Sequence, residues 1–436
     1  MELNEQPRTR STGLGRVMVP AMRVAVLLTT LLAGSALGQD LAAPVRPLQG
    51  SPVERLTVNA GVRDWGPSTL SGGLLLAGSP SGSAGLFAVD TASGKLKWHF
   101  RPARINGSVS TPPAVAGGLV LAPFGAANPG AVVAVSLASG KEVWRGPDPA
   151  TGAAVVTQDG LAYVVAKDGL LHALEAATGR LVWQMAFAGK SARCVSWPVL
   201  RDGVLYLTGT LDPVPGDPAS RASSHLFAVD ARTGKERWRY PGAPAREAPA
   251  GVCLNQPLLS GDTVYGIGNN SLHAVDRASG QPRFAPVQVR RLVEGRERGI
   301  DLRGLVDAGD VLVGVNKHYL IAFDKASGRI AWDMPGQYNM GSPATAVAGR
   351  VLYVQGHPGA AQAPDVAGTI RYVGGKPVEQ VPVLPGGVLR ALDLDTRSML
   401  WTFSRRTAEA IWPFGSVTPV DGGLWVDSYQ AMVKLQ

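Results

Sequence analysis

A version of one phrase is written seven times along this chain: hydrophobic, any, Ala, hydrophobic, Asp, two spacers, Ser or Thr, Gly, Lys or Arg, two spacers, Trp. Its first copy is Leu86-Phe87-Ala88-Val89-Asp90-Thr91-Ala92-Ser93-Gly94-Lys95-Leu96-Lys97-Trp98, and the tryptophan position recurs at Trp144, Trp183, Trp238, Phe284, Trp332 and Trp401. A period of roughly 40–50 residues marks a repeat architecture, in which each unit buries its apolar face only by stacking on a neighbour. This overrides length as a guide to domain number, because a radial array of sheets closes as one unit.

Each repeat reads as an antiparallel meander. In the second, Ser110 to Ala116 is a strand ending at Gly117-Gly118, Leu119-Val120-Leu121 begins another, and Val132 to Ser136 is a third. A turn at Ala138-Ser139-Gly140-Lys141 then leads to Glu142-Val143-Trp144. Strand-length runs separated by Gly-containing turns predict hairpins, and 54 Gly with 33 Pro leave little room for long helices. Within the phrase, the Asp carboxylate is placed to accept from the following turn, and Gly supplies a positive φ. Ala leaves room for a large neighbour. The docking rings Trp98, Trp144, Trp183, Trp238, Phe284, Trp332 and Trp401 are expected to lie between blades, each indole N–H on a backbone acceptor.

A second marker gives the count. The turn between first and second strands occurs at Gly72-Gly73, Gly117-Gly118, Asp159-Gly160, Asp202-Gly203, Gly261-Asp262, Gly309-Asp310, Gly349-Arg350 and Gly422-Gly423. That is one more than the phrases. The eighth unit ends after Met432-Val433-Lys434-Leu435 without an outer strand, while Val53 to Val58 is a strand-like run with no unit of its own. The expectation is an all-β, eight-bladed propeller of four-stranded antiparallel blades, the N-terminal strand completing the last blade and removing exposed edges. The organisation is then 1–38 export signal, 39–52 linker and 53–436 propeller.

The signal reading rests on Met22-Arg23, the apolar run Val24 to Leu32 and small residues up to Gly38. The n-region is long, so Met18 or Met22 is an alternative start. The apolar run is short for a transmembrane helix, and no Cys follows it as a lipid-anchor site. A periplasmic or secreted protein without a membrane anchor is expected. The only cysteines, Cys194 and Cys253, open the same line of neighbouring repeats. They read either as a disulfide or as two buried thiols.

The phrase, best matched at 88–98, 228–238 and 322–332, resembles the tryptophan-docking repeat of quinoprotein alcohol dehydrogenases. The propeller of the outer-membrane barrel-assembly machinery carries the same repeat. The resemblance covers about residues 53–436 and implies the fold; it bears weakly on activity. For the enzymes it implies pyrroloquinoline quinone and calcium in the central channel, held by an adjacent Cys-Cys pair, a Trp, and Glu, Asn and Asp ligands. This chain has no adjacent Cys pair, and its size and lack of decoration are nearer the non-enzymatic propellers. The expectation is therefore no cofactor, with the quinone and calcium as the alternative.

Loops between second and third strands and between blades share one face, where the long insertions fall: 209–224, 285–300, and 356–387 with room for a hairpin. They read as binding loops or as tolerated insertions. Net charge is +9, of which the first 38 residues carry +2. Much of the excess lies in the blade-to-blade loops: Arg101, Arg104, Lys190, Arg193, Arg246, Arg290, Arg291, Arg296, Arg298, Arg405 and Arg406. Such a ring favours an anionic partner, a protein or a cell-envelope component, or else serves solubility. Trp65, Trp197 and Trp412 lie outside the docking set near the same mouth, as ligand platforms or as gap fillers. No nucleic-acid module is present. Gly266-Ile267-Gly268 lacks the third Gly of a dinucleotide site, and the six His show no zinc spacing. The phrase acids Asp90, Asp230, Asp276, Asp324 and Asp393 belong to turns, so no catalytic residue is nominated. The leading expectation is a non-catalytic protein-binding scaffold, with envelope assembly its most specific form; the alternatives are a quinone-dependent oxidoreductase or a binder of a small anion in the channel.

Overall fold

The computed structural model describes residues 45–436 apart from 59–64, 81–84, 106, 126–129, 147–153, 167–168, 190–195, 213–222, 242–253, 269, 294–295, 317, 337, 339–344, 357–368, 374–375, 382–387, 405–415 and 429–430. The chain divides into two units, 1–32 and 33–436, and every described residue belongs to the second.

Eight four-stranded antiparallel sheets make the propeller, with two separate two-stranded hairpins. Blades 1 to 7 span 68–100, 114–145, 155–186, 199–241, 258–288, 303–335 and 345–404, and blade 8 joins 417–435 to Glu54–Val58. Two details depart from the sequence reading. The inner strand of blade 2 begins at Ala114 rather than Ser110, because Pro112 and Pro113 offer no N–H to a ladder. Val287–Gln288, expected within the insertion, pairs with Leu272 and Ser271 as the outer strand of blade 5.

The docking phrase works through a bulge. Ala88 faces Trp98 across the ladder while Val89 faces Leu96, which leaves Lys97 as the extra residue. The same shift follows Ala134, Ala173, Ala228, Ala322 and Ala391. A bulge bends the strand and re-aims the side chain beside it, here the indole, toward the next blade. Trp98 Nε1 donates to Leu137 O at 2.9 Å, Trp144 to Ala176 O at 3.0 Å, Trp183 to Ala231 O at 3.1 Å and Trp238 to Arg277 O at 3.0 Å. Trp332 packs into the cluster holding Leu392 and Leu394.

The phrase glycine has a second role that conformation alone does not reveal. A Cβ at Gly140 would lie 2.7 Å from Trp98, at Gly179 2.5 Å from Trp144, at Gly234 2.6 Å from Trp183 and at Gly280 2.7 Å from Trp238. Each ring therefore rests on the bare backbone of the following turn. Phe284 occupies the same slot over Gly328, with 2.5 Å to a notional Cβ. The phrase acid holds that turn: Asp90 Oδ1 accepts from Ser93 N at 2.7 Å and Ser93 Oγ at 2.6 Å. These bonds hold its carboxyl below the usual range.

Closure is built from the N-terminal segment. Glu54–Val58 pairs antiparallel with Ala431–Leu435, and Val53 and Gln436 exchange both backbone bonds at 2.8 and 3.0 Å. The closing strand has its own bulge, so Leu56 takes the docking position and packs 3.4 Å from a notional Cβ on Gly94. Residues 45–48, within the stretch read as a linker, stand in for the turn that blade 8 lacks. Trp401 Nε1 donates to Leu48 O at 3.0 Å, and Leu48 N donates to Tyr353 Oη at 2.7 Å. Gly422 N donates to Arg46 O at 3.0 Å, and Arg46 makes a two-pronged pair with Asp421 at 2.7 and 2.8 Å.

Candidate functional site

In an up-and-down meander, the first-to-second and third-to-fourth turns share one face, and the remaining connections share the other. The short-turn face is tightly closed. Both residues of Gly72-Gly73, Gly117-Gly118, Asp159-Gly160 and Asp202-Gly203 have positive φ, the two-residue hairpin geometry that suits strand twist. Ion pairs cross between blades on this face: Arg277 with Asp202 and Arg350 with Asp310, each at 2.7 Å, and Arg350 also pairs with Asp395 within its own blade at 2.7 Å. Variation in chain length is confined to the opposite, loop face.

Three insertions rise there. The hairpin of blade 4 is lengthened, with Val204–Leu211 paired to Ser223–Asp230 throughout. Between the second and third strands of blade 7 stands the hairpin of Thr369–Val373 and Lys376–Val381, as the length of that insertion allowed. Between blades 5 and 6 stands the hairpin of Arg290–Val293 and Arg296–Gly299. Its base is fixed: Val289 N donates to Asn270 O at 2.6 Å, Ile300 N donates to Val289 O at 2.8 Å, and both side chains are in the core.

The basic candidates separate into distinct environments. Arg101 and Arg104 are exposed, and Arg101 Nε contacts His99 Nε2 at 3.3 Å. Arg290 lies 3.6 Å from Glu297, and half-buried Arg291 pairs with Asp333 on the outer strand of blade 6. Arg298 is exposed, and Arg296 belongs to the hairpin strand Arg296–Gly299. Lys190, Arg193, Arg246, Arg405, Arg406, Trp412 and both cysteines, Cys194 and Cys253, lie outside the described residues.

Sequence reasoning missed the residue that follows each docking Trp. His99, Arg145, Arg239 and Asp333 occupy this place. Arg145 Nη1 donates to Ala103 O at 2.7 Å in the preceding blade-to-blade loop, and Asp333 receives Arg291 from its own preceding loop. Arg101 contacts His99 from the loop that follows it. A signal was available: this position is one step past the indole on an alternating strand, and after every docking Trp its residue is polar.

Trp65 is 4% exposed and packs on Phe87 at a centroid distance of 5.1 Å, within a cluster that includes Val58 and Trp425. It fills the seam between blades 8 and 1. Trp197 is half-buried. At the third-strand position where Phe87 and Phe227 plug their seams, blade 5 carries His273 and blade 7 carries Arg390. His273 is 2% exposed, and its Nδ1 lies 3.1 Å from the Tyr240 hydroxyl of blade 4. Burial pushes its pKa down to about 4. The Arg390 guanidinium lies over the Tyr338 ring at 5.8 Å, and burial lowers its pKa.

Among the described residues, no group of three or more His, Cys, Asp or Glu is placed to hold a metal ion. Among them, too, no helix is long and apolar enough to cross a membrane.

Residues 128–287 match the family model described as outer membrane protein assembly factor BamB. Two curated relatives match by sequence. The quinoprotein alcohol dehydrogenase PedH of Pseudomonas putida is 42% identical over 14% of this chain and 8% of its own length. The quinohemoprotein alcohol dehydrogenase ADH-IIG of Pseudomonas putida is 26% identical over 31% of this chain and 18% of its own. The chain thus matches less than a fifth of either enzyme's length. Among solved structures, BamB from Moraxella catarrhalis superposes with a TM-score of 0.60 at 14% identity, covering 88% of this chain and 99% of that one. Quinohemoprotein alcohol dehydrogenase ADHIIG from Pseudomonas putida HK5 superposes with a TM-score of 0.62 at 14% identity, covering 92% and 78%.

Proposed function

Because the chain carries a PQQ-like propeller, we propose that it is a non-catalytic protein-binding scaffold of the cell envelope, periplasmic or secreted, which presents its loop face to an anionic partner. The observation behind this reading is the extent of the superposition on BamB, which takes in 99% of that chain, against 78% of the ADHIIG dehydrogenase. The fold matched here thus takes in nearly all of the assembly factor and a smaller share of the enzyme. Placement on the loop face follows from where insertions and cations meet: Arg101, Arg104, Arg290 and Arg298 are exposed there.

The test is capture from envelope extract by the purified chain, with bound proteins identified by mass spectrometry. Reversing charge at Arg290, Arg291, Arg296 and Arg298 together should abolish capture of the specific partner, and raised salt should weaken the wild-type complex. Retention unchanged by reversal at low salt overturns the basic-face reading.

A second reading, a quinone-dependent oxidoreductase, is favoured by the two dehydrogenase relatives. Among the described residues no group of three or more His, Cys, Asp or Glu stands together, and Trp65 is enclosed by Phe87 and the seam, so no residue is assigned to hold a quinone or calcium. No catalytic step is therefore derived. Purified protein mixed with the quinone and calcium should show neither cofactor absorbance nor dye-linked alcohol or sugar oxidation; both together would establish this second reading instead.

A further inference from the structure

The seam between blades 4 and 5 changes character along its length. Its deeper part is apolar: Tyr206, Leu226 and Ala228 of blade 4 share a cluster with Leu259, Val264 and Val275 of blade 5. Strand alternation carries the same two faces on toward the loop end, and there the side chains turn polar. Thr208, Thr210 and Ser224 follow on blade 4, and His273 and Ser271 on blade 5, all of them buried. Thr208 Oγ1 donates to Leu254 O at 2.9 Å, Leu254 N donates to Ser224 Oγ at 3.2 Å, and Gln288 Nε2 donates to Ser271 Oγ at 2.7 Å.

The neighbouring seam is filled differently. In blade 4 the row facing blade 3 sets Leu207 opposite Phe227, and Phe187 meets that ring edge-on at 6.2 Å. In blade 5 the same row is Gly266 opposite His273. A Cβ at Gly266 would meet only Leu254, at an ordinary 3.7 Å, so the place that a leucine fills in one seam has room for at least a methyl in the next. Two polar atoms face this part of the seam without satisfaction. His273 Nδ1 has the Tyr240 hydroxyl, but its Nε2 has no hydrogen-bond partner among the described residues, and neither has Thr210 Oγ1. Both residues are more than nine-tenths buried, at 2% and 7% exposed. A buried donor or acceptor left unpaired is costly, and polar groups beside spare room are the setting in which an internal water is held.

We propose that the loop end of the blade 4–5 seam is a binding site for internal water, which bridges His273 Nε2 and Thr210 Oγ1 singly or as a short chain. The two residues stand in successive rows. Tyr240, in the row of Thr208 and Leu226, meets His273, and Thr210 with Ser224 forms the next row outward. Beyond Thr210 come half-buried Leu211 and exposed Asp212, which gives the water its way in from the loop face. A threonine hydroxyl both donates and accepts, so through water it suits either tautomer of the imidazole. The seam is then completed by an exchangeable molecule, where the blade 3–4 seam is completed by rings.

The experiment is a crystal structure of the full chain together with magnetic relaxation dispersion in solution, which counts water molecules held for long times inside a protein. The wild-type crystal should show ordered water within hydrogen-bond distance of both His273 Nε2 and Thr210 Oγ1. Thr210→Val keeps the shape and removes the hydroxyl, and it should lower the count by roughly one long-lived water. His273→Phe should lower it likewise, and Thr210→Ser should leave it at the wild-type value. A dry seam overturns the proposal, as does a direct bond between Thr210 and His273 or another side chain seated on either atom. A count unchanged in both Thr210→Val and His273→Phe overturns it too. Should either variant fail to fold, the wild-type crystal decides alone.

Discussion

The seam between blades 1 and 2 and the seams on either side of blade 8 do the same work with different parts. At the first, Trp98 lies on Gly140 and donates to Leu137 O, all within a continuous chain. At the others, the phrase is absent from blade 8. Leu56 replaces the indole over Gly94, and Leu48 O, delivered by the N-terminal segment, receives Trp401. The ordinary seam is fixed by an aromatic ring that needs a bare glycine. The closing seams are fixed by a smaller aliphatic side chain and by main-chain bonds between the two ends. The lesson is that the repeat conserves a slot and an acceptor, and the slot can be filled by whatever the topology brings there.

Removal of residues 45–58 should have the largest effect. It takes the outer strand from blade 8, the acceptor from Trp401 and the plug from Gly94 together. Calorimetry should show no cooperative transition. A normal melt would mean that the ends are dispensable and the comparison misconceived. Next is Trp238→Ala at an ordinary seam, expected to cost about 3 kcal/mol, the low end of the range for deleting a large buried ring because this indole is half-buried. Chemical denaturation measures it, and an unchanged midpoint would remove the docking role.

Acid should act on one ordinary seam in particular. His273 has a folded pKa depressed to about 4 by burial, below its ordinary value near 6.5. The unfolded chain therefore binds the proton first. The stabilisation from a neutral His273 is complete above about pH 6.5 and is lost as pH falls toward 4, by about 3 kcal/mol at most. Replacing His273 with Phe, the residue that blade 4 uses at this position, should flatten stability between pH 4 and 6.5. An unchanged pH slope would assign acid lability elsewhere.

A smaller and sharper contrast comes from two glycines. Gly140→Ala and Gly94→Ala both place a side chain at positive φ, +70° and +69°, at a cost of about 1–2 kcal/mol. Only the Gly140 methyl also meets a ring, at 2.7 Å, whereas at Gly94 the nearest atom of Leu56 is 3.4 Å away. Gly140→Ala should therefore be the worse by about 1–3 kcal/mol, the range for overpacking. Equal costs would mean that the glycine serves conformation alone. The smallest effect belongs to Arg46→Ala. The pair with Asp421 is well formed, but both side chains are exposed, and such pairs contribute little. Its melting temperature should match wild type within error.

Most of this architecture was legible in the chain. Eight turn markers against seven phrases, with Val53–Val58 left over, fixed both the blade number and the closure. Ring and acceptor were readable because Trp98 and its counterparts recur at one place in every copy. The second duty of the phrase glycine was not, because it depends on contact between residues in different repeats: nothing within the unit holding Gly140 says that Trp98 lies on it. Leu48 was hidden for the same reason, since it substitutes for a turn lying at the far end of the sequence. On the loop face, counting cations found Arg290 and Arg291 but not the acids beside them. Glu297 and Asp333 are visible only once the strands are paired, and they set acids beside two of these arginines, Arg290 and Arg291.

The meeting of Val53 with Gln436 has a consequence for synthesis. The earliest propeller strand to leave the ribosome has its ladder partner among the latest. Blades 1 to 7 are each complete once their own segment has emerged, whereas Glu54–Val58 must wait for almost the whole polypeptide to follow. Through that interval the nascent protein is an open arc with a sticky strand at its leading end, and the ring snaps shut in a single late event that any chaperone or translocation machinery handling it has to outlast.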